Sequence, residues 1–335
     1  MSPRAARHAL WIAAAPLVGL AQPAADPVIA SFREYRAALE RNDLPAAETA
    51  AAAALAASEA VRGSRTAVLA LNLANVRLEL GDDYDALTPA RIAHELATAA
   101  ADAGVDARLA ALTLGRAEVA ADERGGSRRL VDAIAAAEAD ATLAGEVYTA
   151  AVALGRWAFE SQEYATAQDA WATAGKHSAT TADPTFARAY ALIGEGTAIF
   201  LRNAYPQELR TGTRMAKIST PDAQAASDAF TTAQGLLLPA AYAETPPGAR
   251  LTAGQVAFAQ AMAWQGALFA RIESLDEALP VSLPTLTSGY DRSGECTMRG
   301  FNAGPEIEYP TEALFRYGVG AVVAHFDCAS STRPA

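Results

Sequence analysis

Residues 145–175 read GEVYTAAVALGRWAFESQEYATAQDAWATAG, and this stretch decides the fold. Ala151, Leu154 and Ala158 fall on one helical stripe, a break follows at Ser161-Gln162-Glu163, and Tyr164, Ala167, Trp171 and Ala174 return on a second stripe. Inside the first stripe sits a large-small pair, Leu154-Gly155. The pair recurs as Leu73-Ala74, Leu114-Gly115 and Ile193-Gly194, with the small members 41, 40 and 39 residues apart. A further 39 residues before Ala74 stands Tyr35, in another helical stretch. A small residue lets a neighbouring helix approach closely and the large one fills the seam, as stacked helix pairs require. The spacing predicts a mainly α chain: an α-solenoid of antiparallel helix pairs with turns near residues 42, 81, 125 and 162.

The flanking sequence repeats the pattern. A first pair covers residues 27–58, with Phe32, Tyr35, Ala38 and Leu39 at helical spacing and a break at Asn42-Asp43. A second covers 64–101, with Leu69, Leu73, Val76 and Leu80, a turn at Gly81-Asp82-Asp83, and a return through Ala86, Ala90 and Ala93. The third starts near Asp106 with Leu109, Leu112 and Val119, turns at Gly125-Gly126 and returns through Leu130. Beyond the fourth pair, residues 185–201, 222–238 and 251–275 read as helices, the middle one stopped by Pro239, with a long loop over 203–220.

Composition limits the function. The chain has 335 residues, 51% of them hydrophobic, which is ample for a core, but only 7% are aromatic. An alanine-based core packs thin, close helices and makes poor deep pockets. The net charge of −11, with arginines scattered among acids, argues against nucleic acid, which needs a basic stripe. No nucleophile, phosphate loop or metal-ligand spacing is recognisable, so neither enzyme activity nor a cofactor is expected. Gly194-Glu195-Gly196 lies mid-helix, and Asp82-Asp83-Tyr84-Asp85 is a hairpin turn rather than a calcium loop. Trp157, Trp171 and Trp264 fall on helical stripes as core or seam residues.

At the start of the chain, Arg4, Arg7 and His8 precede an apolar run over residues 9–21 that ends in Gly19-Leu20-Ala21. A charged region, an apolar stretch and small residues at the cleavage positions read as a signal peptide over residues 1–21. The run, broken by Pro16, is too short to span a bilayer comfortably. The mature protein is expected in the periplasm or secreted, with no integral membrane segment. Cys296 and Cys328, the only two cysteines, permit a disulfide in an oxidising compartment, and two separate thiols fit the sequence equally well. From Leu279 onward, prolines and glycines crowd together and mark a boundary between residues 22–278 and 279–335.

The helical region resembles the tetratricopeptide repeat family. Leu154-Gly155 matches its large-small pair, and Ala167, Trp171 and Ala174 match the small, aromatic and small positions of its second helix. The period near 40 departs from that family's ~34. The resemblance implies a groove, lined by the first helix of each pair, for a protein or peptide partner.

The C-terminal segment resembles the opening of the TonB C-terminal domain, found in periplasmic energy transducers. Tyr309, Pro310, Ala313, Gly318, Gly320, Val322 and Phe326 occupy that family's motif in order. This implies a small α+β segment: a strand at 295–301, about two turns of helix and a strand at 319–328. The family's second half has no counterpart before residue 335, so the segment reads as a truncated copy. Together the resemblances imply an interaction scaffold in a Gram-negative envelope, in the context of TonB-type transport. The other reading left by the residues is a secreted structural or assembly factor unrelated to energy transduction.

Overall fold

The computed structural model describes residues 26–58, 63–99, 104–204, 218–243 and 250–273. The predicted signal peptide, the TonB-like segment with its strands, and both cysteines lie outside these residues. Among the described residues there are eleven α-helices and no strand. They are α1 (Pro27–Glu40), α2 (Leu44–Ser58), α3 (Ser64–Leu80), α4 (Asp83–Ala99), α5 (Ala107–Ala120), α6 (Gly126–Ala137), α7 (Ala144–Glu160), α8 (Tyr164–His177), α9 (Pro184–Ala204), α10 (Thr220–Ala241) and α11 (Ala253–Glu273). The chain divides into two compact units, one ending at Ala198 and the other beginning at Ile199.

In the first unit each odd-numbered helix from α1 to α7 packs on the helix that follows it, and each pair packs on the next. The turn inside every pair has one geometry. Asn42, Gly81, Asp122 and Gln162 adopt left-handed φ values of 57, 78, 53 and 59°, at spacings of 39, 41 and 40 residues. The N–H after each bonds back across five residues: Asp43 to Ala38 O, Asp82 to Arg77 O, Glu123 to Glu118 O and Glu163 to Ala158 O, at 2.9, 2.9, 2.8 and 2.7 Å. This is the Schellman closure, which satisfies the last carbonyls of a helix and reverses the chain. The residue that closes it is acidic each time, and sits where the next helix's N-terminus favours negative charge. Asp43 also caps α2, accepting from Ala46 N at 3.2 Å. In the third pair the reversal is therefore at Asp122-Glu123, with Gly125 (φ 76°) as N-cap of α6, rather than at Gly125-Gly126.

The large-small pairs work as the spacing predicts. A Cβ on Gly115 would lie 2.9 Å from Leu130 Cδ1 of α6, and one on Gly155 would lie 2.7 Å from the Trp171 indole of α8. Gly194 of α9 faces the same indole still more closely. Gly126 in turn meets Glu118, so α5 and α6 run antiparallel in a fixed register. The second helices carry a matching column in every pair: Ala47, Ala51 and Ala54; Ala86, Ala90 and Ala93; Gly126, Leu130 and Ala133; Ala167, Trp171 and Ala174. All twelve are buried.

Two prolines lie inside helices. Pro89, fully buried in α4, lacks the N–H that would bond the Asp85 carbonyl. Arg77 of α3 supplies the donor instead, its Nη1 lying 2.9 Å from Asp85 O, while its Nε and Nη2 hold Glu48 of α2 at 3.0 and 2.8 Å. Pro239 does not stop α10, which runs on to Ala241. A proline in the last turn removes one hydrogen bond only, and the Tyr242 N–H closes the end on Leu238 O.

In the second unit α10 packs on α11. Phe230 and Leu268 are fully buried beside Ile199, Phe200, Ile218, Ala223 and Ala226. The seam there is bonded by amides: Gln265 accepts from Gln234 at 2.7 Å and donates to Thr231 at 2.9 Å.

Candidate functional site

The residue after each recurring seam position (Tyr35, Ala74, Gly115, Gly155 and Gly194) is polar: Arg36, Asn75, Arg116, Arg156 and Glu195. A helix turns about 100° per residue, so this position points away from the second helix of its own pair. Because α3 packs on α5 and α5 on α7, Asn75, Arg116 and Arg156 lie in a column along these three first helices. Arg36 and Arg156 are exposed, Asn75 and Glu195 are half-buried, and Arg116 is 9% exposed.

Arg116 is the centre of the column. Its Nη1 donates to Asn75 Oδ1 at 3.3 Å, and its Nη2 lies 3.8 Å from Glu79 Oε1 of α3. Glu146 of α7 is half-buried on the other side. Desolvation raises its pKa, the Arg116 charge opposes that rise, and the Glu79 charge adds to it. Arg116 thus pairs with Glu79 and gives its hydrogen bond to a neutral amide. One turn earlier on α3 and α5 stand Asn72 and Thr113, again 41 residues apart and 7% and 1% exposed. Asn72 Nδ2 and Thr113 Oγ1 are buried without a hydrogen-bond partner, which costs free energy wherever it occurs.

A second group lies on α7 to α9. Phe186 stacks on Tyr190 (5.9 Å, 8°), and Tyr190 meets Trp171 edge-on at 5.3 Å. Burial raises the Tyr190 pKa and the Arg156 charge lowers it. Glu195 is raised by desolvation and lowered by Arg188.

Other charges tie neighbouring pairs together. Arg65 reaches Asp26 at 2.9 Å, Arg91 reaches Glu123 at 3.4 Å, Arg108 reaches Asp140 at 2.8 Å and Lys176 reaches Glu138 at 3.3 Å. Each contact is weak alone.

The first helices carry polar residues that the repeat motif did not single out. The signal was present: each follows the recurring seam residue at the same period of about 40. The motif residues Tyr309, Pro310, Ala313, Gly318, Gly320, Val322 and Phe326, and the cysteines Cys296 and Cys328, lie outside the described residues, so the structure neither joins nor separates them. Among the described residues no helix is long and apolar enough to cross a membrane, and no cluster of three or more His, Cys, Asp or Glu side chains is placed to hold a metal ion. No protein-family model matches the chain, and no curated protein matches it.

Proposed function

We propose that this chain is a protein-interaction scaffold of the bacterial envelope, built from tetratricopeptide-like pairs and carrying a TonB-like segment after them. The observation that carries the reading is the polar column on the adjoining helices α3, α5 and α7, at a position that recurs with the period of the fold. Repeat proteins bind along such continuous surfaces because each unit contributes the same position to it. The envelope setting is supported by the signal-like opening and the TonB-like motif.

Site-specific photocrosslinking tests it. A photoreactive residue at position 36 or 156, both on first helices, should capture a defined partner in intact cells. The same residue at 95 or 132, exposed on the second helices α4 and α6, should not. Equal capture from both sets, or none from either, would overturn the reading.

A further inference from the structure

We infer that the outer face of α11, bearing Val256, Met262, Ala263 and Ala267, is the docking surface for residues 309–328 of the same chain. The inference goes beyond the scaffold reading and does not depend on it.

The starting point is charge. No Asp, Glu, Lys or Arg occurs from Leu251 to Ala270, so α11 has no ionic side chain before its last turn. Its seam is accounted for. Ala257, Ala261, Gln265 and Leu268 are buried, α10 packs along it, and Phe200 of α9 meets Trp264 at 6.1 Å. Turned away from that seam, Val256, Ala263 and Ala267 are half-buried and Met262 and Gly266 are exposed. Met262 leaves 42% of its surface in contact with solvent.

Two other helices show how this fold treats such sequences. α2 is almost as free of charge, with Glu48 its only ionic side chain, and it packs on both α1 and α3. α1 packs on α2 and turns Arg33, Glu34, Arg36 and Glu40 to solvent. Among the described residues α11 combines the composition of α2 with the setting of α1. A helix that is apolar on all sides is a buried helix, and the last helix of a stack otherwise needs a polar outer face.

Composition and connectivity name the occupant. In residues 309–328, eight of the 20 are Leu, Val, Phe or Tyr, and the acids and bases are Glu312, Arg316 and Asp327 alone. Residues 205–217, between α9 and α10, carry Glu208, Arg210, Arg214 and Lys217 in a shorter stretch and do not suit an apolar face. The connection from α11 to Tyr309 has 35 residues. Fully extended, that length covers about 115 Å, against about 31 Å for α11 itself, so every point of the face lies within reach. Attachment makes the docking intramolecular, and a face too small to hold a separate molecule then suffices. That favours the segment over a second copy of the chain.

Cys328, at the end of the segment, supplies the probe. In the full chain carrying Cys296→Ala and Met262→Cys, oxidation by copper phenanthroline at low protein concentration should link position 262 to Cys328 within one molecule. Mass spectrometry of the monomer band identifies the linked peptides. The yield should exceed by about tenfold that of Thr232→Cys, which is exposed on α10. A second pairing, Met262→Cys with Ala321→Cys and Cys328→Ala, covers the other register. No bridge in either pairing, or equal yields from positions 262 and 232, overturns the inference. A dimer joined through the two introduced thiols, growing with concentration, assigns the face to a second copy and overturns it too. An independent measurement leaves α11 unaltered: Phe315→Asp/Val322→Asp/Phe326→Asp should speed peroxide oxidation of Met262 about fivefold, because the sulfur loses its cover. An unchanged rate also overturns the inference. Positions 36 and 156 take no part in these measurements, so either result leaves the scaffold reading as it stands.

Discussion

The seams of the first and fourth helix pairs are filled from opposite sides. In the first, the bulk sits on the first helix: Tyr35 shares its core with Ala51 of α2, and both are almost wholly buried. In the fourth, the first helix offers Gly155 and the second supplies Trp171, whose ring also reaches Gly194 of α9. Between these extremes Ala74 shares a core with Ala90, and Gly115 faces Leu130. Along the chain, side-chain volume leaves the first helix and appears on the second. The seam stays filled because packing density is conserved while the identity at either position is not. The repeat is therefore a property of the pair of positions, and reading one alone makes it look degenerate.

Removing the bulk should have the largest effect. Trp171→Ala opens a cavity bordered by α7, α8 and α9 and should cost about 3–5 kcal/mol, seen as an earlier midpoint in urea unfolding. Because a solenoid unfolds unit by unit, proteolysis should map the loss to α7–α9. Stability within 1 kcal/mol of wild type would show that the indole is not the seam's filler.

Gly155→Ala comes next, because its methyl collides with the same indole, and it should cost about 1–3 kcal/mol. In a Trp171→Leu background the cost should largely vanish, as it does in the seam that naturally pairs Ala74 with Ala90. Additive effects in this double-mutant cycle would break the idea of exchanged volume. Arg77→Met should cost about 1 kcal/mol, since the Asp85 carbonyl loses the donor that replaces the missing Pro89 N–H. Adding Pro89→Ala should recover part of it by restoring the helical bond, and calorimetric Tm values of the two variants decide the matter.

Two smaller effects concern buried polar groups. The Tyr35 hydroxyl has no hydrogen-bond partner, and burial pushes its pKa up to about 12. Tyr35→Phe should therefore raise stability by up to about 1 kcal/mol, whereas a loss would reveal a bond made by that hydroxyl. Glu146 carries a raised pKa in the folded state. Its contribution is thus most favourable below the unfolded carboxylate value and is lost as pH rises through the folded one. Glu146→Gln should be more stable than wild type at neutral pH, and the gain should shrink as pH falls through the carboxylate range. A gain that persists unchanged into acid would mean that the raised pKa is not its source.

The local pattern made much of this legible. Stripes at 3.6-residue spacing, the breaks at Asn42, Gly81 and Gln162, and the spaced small residues are short-range features, and the helices formed where they indicated. The reading failed where a local signal was overruled. Pro239 was expected to end its helix but costs only one bond in the last turn. Gly125-Gly126 drew attention from Asp122, a residue less obviously suited to a left-handed turn.

The sequence alone determined that this chain is helical, paired and repeated at about 40 residues, because helix periodicity and turn chemistry act over a few neighbouring residues. Only the tertiary structure decided which helix carries the bulk of each seam, which arginine answers which acid, and that Arg116 of α5 bonds Asn75 and pairs with Glu79 of α3. Those facts join side chains 15 to 41 residues apart on different helices. Burial and charge balance depend on what the neighbouring pair contributes, and no local window of sequence contains both partners.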